Sequence, residues 1–225
     1  NIRKGILMEI EEFFNRRKDI FEDSKDEDGF IQQQLLLSEV LPLMFDAKLV
    51  DSEDYNDSYY SYEADNLKVN AYAINESGER LQLFIINENS INEAIPCEEL
   101  QVSTRAYYEN QFKRVIKFVS KAFKGQLKDE IQDSDPVKAL VSKLTSVEGI
   151  EQFDVIEIFL ISFTATVSFK GAIPQPRNIR FDDDKLKITY SADDYNKTKE
   201  CIISKRVIDL NFLFSVIASR GCREP

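Results

Sequence analysis

Histidine is absent from all 225 residues, and so is tryptophan. A chain without histidine lacks the commonest general base and the commonest neutral metal ligand. It also excludes every Ser-His or Cys-His nucleophilic pair. Cysteine is scarce: Cys97, Cys201 and Cys222 are odd in number, far apart and in no Cys-x-x-Cys spacing. That pattern argues against a disulfide framework and against a zinc knuckle, and reads as reduced thiols of a cytoplasmic protein. Cys201 has Lys199 nearby but no base to activate it, so no nucleophilic role is expected there. Glycines number seven and fall singly, which leaves no phosphate-cradling loop. Long apolar runs are missing as well. The strongest, residues 155–163, is broken by Glu157 and Ser162 and falls far short of the roughly 20 residues that span a bilayer. The first residues carry no signal-peptide apolar segment, and no membrane partner is expected.

Positive charge is in the minority, with 29 Lys and Arg against 40 Asp and Glu, for a net charge of -11. At long range such a chain repels phosphates and acidic membranes, which disfavours nonspecific coating of DNA but does not forbid a local basic face. What the chain does have is core material: hydrophobic residues make up 43%, including 16 Phe and 9 Tyr. The length suits one large domain. The expectation is a single domain over residues 1–225, with an N-terminal helix and acidic loop over 1–29 and an α/β core over 30–220. Asn1 in place of Met and the abrupt Arg223-Glu224-Pro225 end suggest that it was cut from a longer protein.

Helical spacing of Ile6, Ile10, Phe13 and Phe14 predicts a helix over 2–21, and an acidic loop with Asp28 or Gly29 starts the next. Residues 30–47 read as a second helix with a kink or a break near Leu41, because Pro42 lies inside it. Residues 58–89 read as a three-stranded antiparallel meander. Within it, alternation puts Leu67, Val69, Ala71 and Ala73 on one face, and Gly78 takes the positive-φ place of a hairpin. The clearest helix covers 103–124, capped by Ser103 or Thr104 and stopped at Gly125. A short helix after Asp135-Pro136 uses the Asp as its cap. Residues 153–169 form a strand or strand pair, 186–190 another strand and 205–210 a last one. A helix capped by Asp209 or Asn211 then runs through Phe214, Val216 and Ile217. Interleaved strands and helices define an α/β class with a mixed sheet flanked by helices.

The order helix, three antiparallel strands, helix, strand resembles the core of PD-(D/E)XK nucleases. Those enzymes place one acid on the second strand and an acid-x-Lys on the third, around Mg²⁺. Mapped here, the first position is Asn70, which is neutral. The second falls within Phe84-Ile85-Ile86-Asn87-Glu88, where no Lys follows at the required spacing. If the site were active, Glu39, Asn70 and Glu88 would be the metal-proximal groups and Mg²⁺ the cofactor. The plainer reading is a nuclease-like domain without the metal site, with no metal ligand and no cofactor. Residues 105–128 carry seven cations against Glu109 alone. Lys113, Arg114, Lys117 and Lys121 on this helix are the candidate contacts for nucleic acid or an acidic partner. The alternative is a solvated face paired to the acidic loops. Tyr55, Tyr59, Tyr60 and Tyr62 lie among carboxylates, which favours cross-strand packing over base stacking.

Several stretches together resemble one family. They are LSEVLPLMFDAKL at 37–49 before an acidic, tyrosine-containing loop, NLKVNAYA at 66–73, RLQLFII at 80–86, VIDLNFLF at 207–214 and CREP at 222–225. The pattern is similar to the N-terminal domain of the abortive-infection phage-resistance proteins. Asn70 and Ala71 depart from it, against an Asp and a Gly. The resemblance implies a bacterial anti-phage module that supports or regulates a C-terminal region of its own protein, with self-association a further possible partnership. A divergent Mg-dependent nuclease acting on DNA or RNA is the alternative function.

Overall fold

A computed structural model of the chain describes residues 2–96, 99, 101, 103–164, 166–171, 173–176, 179–210, 212–214 and 216, with the backbone alone at 2–10, 167–170 and 173–176. The elements run α1 (Ile2–Asp23), α2 (Gln33–Asp46), β1 (Asn56–Tyr62), β2 (Leu67–Ile74), β3 (Arg80–Ile86), α3 (Arg105–Phe123), α4 (Lys138–Thr145), α5 (Val147–Gln152), β4 (Val155–Ser162), β5 (Val167–Lys170), β6 (Ile173–Pro176), β7 (Asp184–Ala192) and β8 (Tyr195–Asp209). Six strands make one curled mixed sheet in the order β1-β2-β3-β4-β8-β7, and β5 with β6 forms a separate two-stranded ribbon. The first three strands pair antiparallel in chain order, as expected, but the sheet is not a three-stranded meander. Strand β3 continues into β4 and β4 into β8 as parallel neighbours, and β7 closes that edge antiparallel to β8. The physical reason is burial. Residues 81–86 and 156–162 are buried throughout, as central strands covered on both faces must be.

Two apolar layers cover the two faces. On one side Tyr108, Phe112, Val115, Phe118 and Val119 of α3 and Leu140, Val141 and Leu144 of α4 pack on Leu81, Leu83, Ile85, Ile156, Ile158 and Leu160. On the other, Phe13, Ile20 and Phe21 of α1 and Leu36, Leu37, Val40 and Met44 of α2 pack on Phe84, Ile86, Phe159 and Ile161. Phe84 and Phe159 stack across β3 and β4 at 5.5 Å between ring centroids. Strand β2 does not keep the alternation expected of it. Leu67 and Val69 belong to the α3 layer, Ala71 to the α2 layer and Tyr72 to the α3 layer again. The side chains therefore change face at Asn70.

Local signals succeed where a named group satisfies a backbone atom. Thr104 caps α3 by accepting from the Tyr107 N–H, and Gly125 follows with φ +70°. Gly78 adopts φ +79° in the β2–β3 turn. The Asp209 carboxylate accepts from the Phe212 N–H at 2.6 Å, and residues 210, 212–214 and 216 are helical. Ile217 and the 222–225 stretch lie outside the described residues. Other expectations are corrected. Neither Asp28 nor Gly29 caps α2; Gln32 does, without a side-chain bond, while Asp26 ties the preceding loop by accepting from the Asp28 and Phe30 N–H groups and from Gln32. Helix α2 runs through Pro42 without ending. Asp135 is not the α4 cap, which falls on Val137. Strand β8 begins ten residues earlier than expected, at Tyr195 rather than 205, because half of it lies on an exposed hairpin with no apolar run to mark it.

Helix α5 hinges on Gly149, which is buried against the preceding turn. A β-carbon there would collide with the Lys143 carbonyl oxygen. Alanine favours a helix by about 1 kcal/mol over glycine, but overpacking costs ~1–3 kcal/mol. Gly149→Ala is therefore expected to lower stability in urea unfolding, and an unchanged or raised midpoint would refute the close packing of this turn.

Candidate functional site

The sheet opens at one end. The β2–β3 ladder runs from Ile74↔Leu81 to Ala71↔Phe84 and stops there, although β3 continues to Ile86 against β4. Strand β2 stays paired to β1 through Tyr60↔Val69, Ser61↔Lys68 and Tyr62↔Leu67, with a register shift between Asp57 and Tyr60. The two outer strands thus peel away from β3 together. The Ile86 main chain faces the gap, since the next amide, Asn87 N–H, donates to Ile161 on the β4 side. A buried peptide group cannot be left without partners. Two side chains of β2 supply them: Asn70 Oδ1 accepts from the Ile86 N–H at 2.9 Å, and Lys68 Nζ donates to the Ile86 carbonyl at 3.1 Å.

The remaining groups of these two residues build outward. Asn70 Nδ2 donates to Gln33 Oε1 at 2.9 Å and to Gln34 Oε1 at 3.2 Å, both at the start of α2. Lys68 Nζ donates to the same Gln33 oxygen at 2.9 Å and to Glu88 Oε1 at 2.5 Å. Gln33 Nε2 donates to that Glu88 oxygen at 3.0 Å, and Gln34 Nε2 donates to Asp57 at 2.6 Å. One continuous network therefore joins β1, β2, the end of β3 and the start of α2. The Lys68 side chain is 0% exposed, whereas Glu88 reaches in from a side chain 40% exposed.

That asymmetry sets the protonation chemistry. Burial pushes the Lys68 ammonium down to about 8; the bond to Glu88 and its charge pull the other way, and the nearby Arg114 guanidinium adds to the depression. For Glu88, burial would raise the carboxyl, but the Lys68 bond and charge, Gln33 and Arg114 outweigh it and hold it below the ordinary range. At neutral pH the pair is ionised. Burial also raises the phenols of Tyr59 and Tyr107, which feel the Glu88 and Arg114 charges at this same end of the sheet.

Of the sequence candidates, Asn70 and Glu88 meet through Gln33 and Lys68. Glu39 does not join them: it lies on α2 six residues past Gln33 and bonds to none of the cluster. The four α3 cations divide. Arg114 is buried and donates to Glu63 at 2.5 Å and to the Leu67 carbonyl at 3.5 Å. Lys117 donates to the Asp65 carboxylate at 2.7 Å, and Lys121 closes on its other oxygen. Lys113 is exposed, on a cleft of about 300 Å³ with Arg105, Phe112 and Phe181. Gln33, Glu63 and Lys68 escaped sequence reasoning. For Lys68 a signal existed, since Lys68 and Asn70 share one face of an otherwise apolar strand. Cys201 is buried, its Sγ 3.1 Å from the Phe153 carbonyl, and burial raises its thiol. Cys97 and Cys222 lie outside the described residues. No helix among the described residues is long and apolar enough to cross a membrane.

The architecture and this charged sheet end define a mixed α/β protein with a buried polar cluster at the carboxyl end of a parallel strand, where open α/β sheets place their sites. The family model described as the abortive infection phage resistance protein N-terminal domain matches residues 43–192, and the chain belongs to that family. Membership implies a role in abortive-infection defence against phage. Lys68, Asn70, Glu88 and Arg114 fall within the matched span, and Gln33 outside it. No curated protein and no solved structure matches the chain.

The depressed Lys68 ammonium fixes a pH dependence. Below pH 8 both folded and unfolded chains carry its proton, and the cost of burying the charge is fully present. Between about 8 and the ordinary value of 10.5 only the unfolded chain holds the proton, so stability through this group rises with pH. Urea unfolding is expected to show wild type gaining on Lys68→Met across that window. A flat or falling difference would contradict the burial of the charge.

Proposed function

We propose that this chain is a noncatalytic, nuclease-like N-terminal module of a phage-defence protein, one that positions or regulates a C-terminal region. The nuclease-like reading is supported by the succession α2-β1-β2-β3-α3, followed through α4 and α5 by β4 parallel to β3. The observation that carries the noncatalytic reading is the use made of Asn70. A divalent cation of the Mg²⁺ kind needs several free hard oxygens. The Asn70 oxygen is committed to the Ile86 N–H, the Gln33 oxygen accepts two donors, and the Lys68 ammonium already neutralises Glu88. Such a donor set does not fit the metal. With Glu39 away from the cluster, Glu88 is held by Lys68 and Asp57 joins only at the far side of Gln34, so a divergent nuclease lacks the converging carboxylates it needs. The cluster acts instead as an internal brace that keeps the end of the sheet in one shape, which suits a surface offered to another domain.

Phage plating with the full-length protein separates the two readings. Glu88→Gln preserves an acceptor for Lys68, so protection is expected to stay within about tenfold of wild type, while deletion of residues 1–225 abolishes it. Loss of protection in a Glu88→Gln protein with unchanged melting would favour a catalytic carboxylate. Full protection without the module would overturn the supporting role.

A further inference from the structure

On the opposite half of the sheet two arginines face each other. Arg180 and Arg206 are partners in an isolated antiparallel bridge at the edge of β8 that β7 leaves uncovered. Residues directly opposite in such a bridge project to the same side with Cβ atoms about 5 Å apart, and like charges so placed repel. Other arginines are neutralised: Arg16 by Glu12, Arg80 by Glu157, Arg105 by Glu109 and Arg114 by Glu63. Neither Arg180 nor Arg206 has an ion-pair partner among the described residues, in a chain where 40 acidic side chains outnumber 29 basic ones. Such an arrangement calls for an anion from outside.

The surroundings say which kind. Both arginines line a cleft of about 280 Å³, together with Lys205, Ser204 and Asp183. Lys205 is held at 2.7 Å by Asp184, outside the cleft, and Asp183 is the single carboxylate of the lining among the described residues. The apolar part of the wall comes from Ile179, Phe181, Val207 and Phe212. Phe181 is fixed in place by Phe112, at 5.1 Å between centroids, and by the Arg105 guanidinium over its ring at 4.5 Å. We propose that this cleft is a phosphate-binding site, in which the Arg180–Arg206 pair grips the oxygens of a phosphate carried by a ligand of about nucleotide size. Paired planar guanidinium forks match the oxygens of a phosphate. The negative charge turns the repulsion between the arginines into shared attraction, and the apolar wall accommodates the rest of the ligand. The volume of about 280 Å³ falls just below the range of small-molecule sites, roughly 300–1,000 Å³, which limits the ligand to a small one. The Lys68–Glu88 network is not involved.

The test uses the 225-residue protein in phosphate-free buffer, with inorganic pyrophosphate, adenosine monophosphate and a short oligothymidine as probes in titration calorimetry. At least one probe is expected to bind, with affinity falling about tenfold or more in both Arg180→Gln and Arg206→Gln. Without ligand both variants are expected to melt at or above the wild-type temperature, because the repulsion is relieved. Tighter binding of the monophosphate than of pyrophosphate supports a nucleotide; much tighter binding of the oligonucleotide assigns the phosphate to a nucleic-acid backbone. Failure of all three probes at millimolar concentration, or binding that neither substitution weakens, would overturn the proposal. So would a lowered melting temperature in both unliganded variants, since protein groups would then be satisfying the pair.

Discussion

The Ile86 peptide group, stranded where β2 leaves β3, is the point on which this end of the molecule depends. Its N–H and C=O are buried and lie beyond the last backbone pairing between the two strands. An unsatisfied buried donor or acceptor costs ~1–3 kcal/mol, so the splay survives only because Asn70 and Lys68 reach across it. Both come from β2 itself, at positions i and i+2 on one face. The strand thus opens the gap and closes it with its own side chains. The same departure moves Ala71 to the opposite layer from Val69. The polar network and the irregular packing of β2 therefore share one cause.

Burying an ammonium is costly unless it is hydrogen-bonded and paired. Lys68 meets both conditions through Ile86, Gln33 and Glu88, and Glu88 stays partly exposed, so only one of the two ions is fully desolvated. Nearby, Arg114 is buried on Glu63, while Lys117 and Lys121 bind Asp65 in the same turn after β1. The cations of α3 therefore clamp the β1–β2 pair, on the side away from α2. On the supporting role proposed above, such bracing would keep one sheet end in a constant shape for the region it joins. The second charged region, at Arg180 and Arg206, has the opposite character, with positive charge that the described residues do not answer.

Much of the fold was legible because local physics repeats in sequence. The period of Tyr108, Phe112, Val115 and Val119 defined α3, Thr104 and Gly125 marked its ends, and Gly78 marked the hairpin. Apolar stretches at 83–86 and 158–161 marked buried strands, but which strands they would join depends on long-range pairing that no local pattern carries. The extension of the sheet through β4 and β8 was invisible for that reason. The family was legible in several loose stretches rather than in one motif. At the site, Asn70 and Glu88 were found by analogy with a metal centre, yet their actual partners are Lys68 and Gln33. Gln33 was unreadable because an amide at the start of a helix has no distinctive spacing; Glu39 was misleading because a carboxylate on α2 was counted without regard to which side of the helix it occupies.

Amide hydrogen exchange at Ile86 is the most direct measurement of whether side chains close the splayed sheet. In wild type this amide should be strongly protected. Asn70→Asp, which keeps an acceptor oxygen, should leave it protected, whereas Asn70→Ala should speed its exchange by about tenfold or more relative to Leu83 within the intact ladder. Unchanged protection of Ile86 in Asn70→Ala would contradict the account, because the amide would then have another partner and the network would not be what holds the end of the sheet.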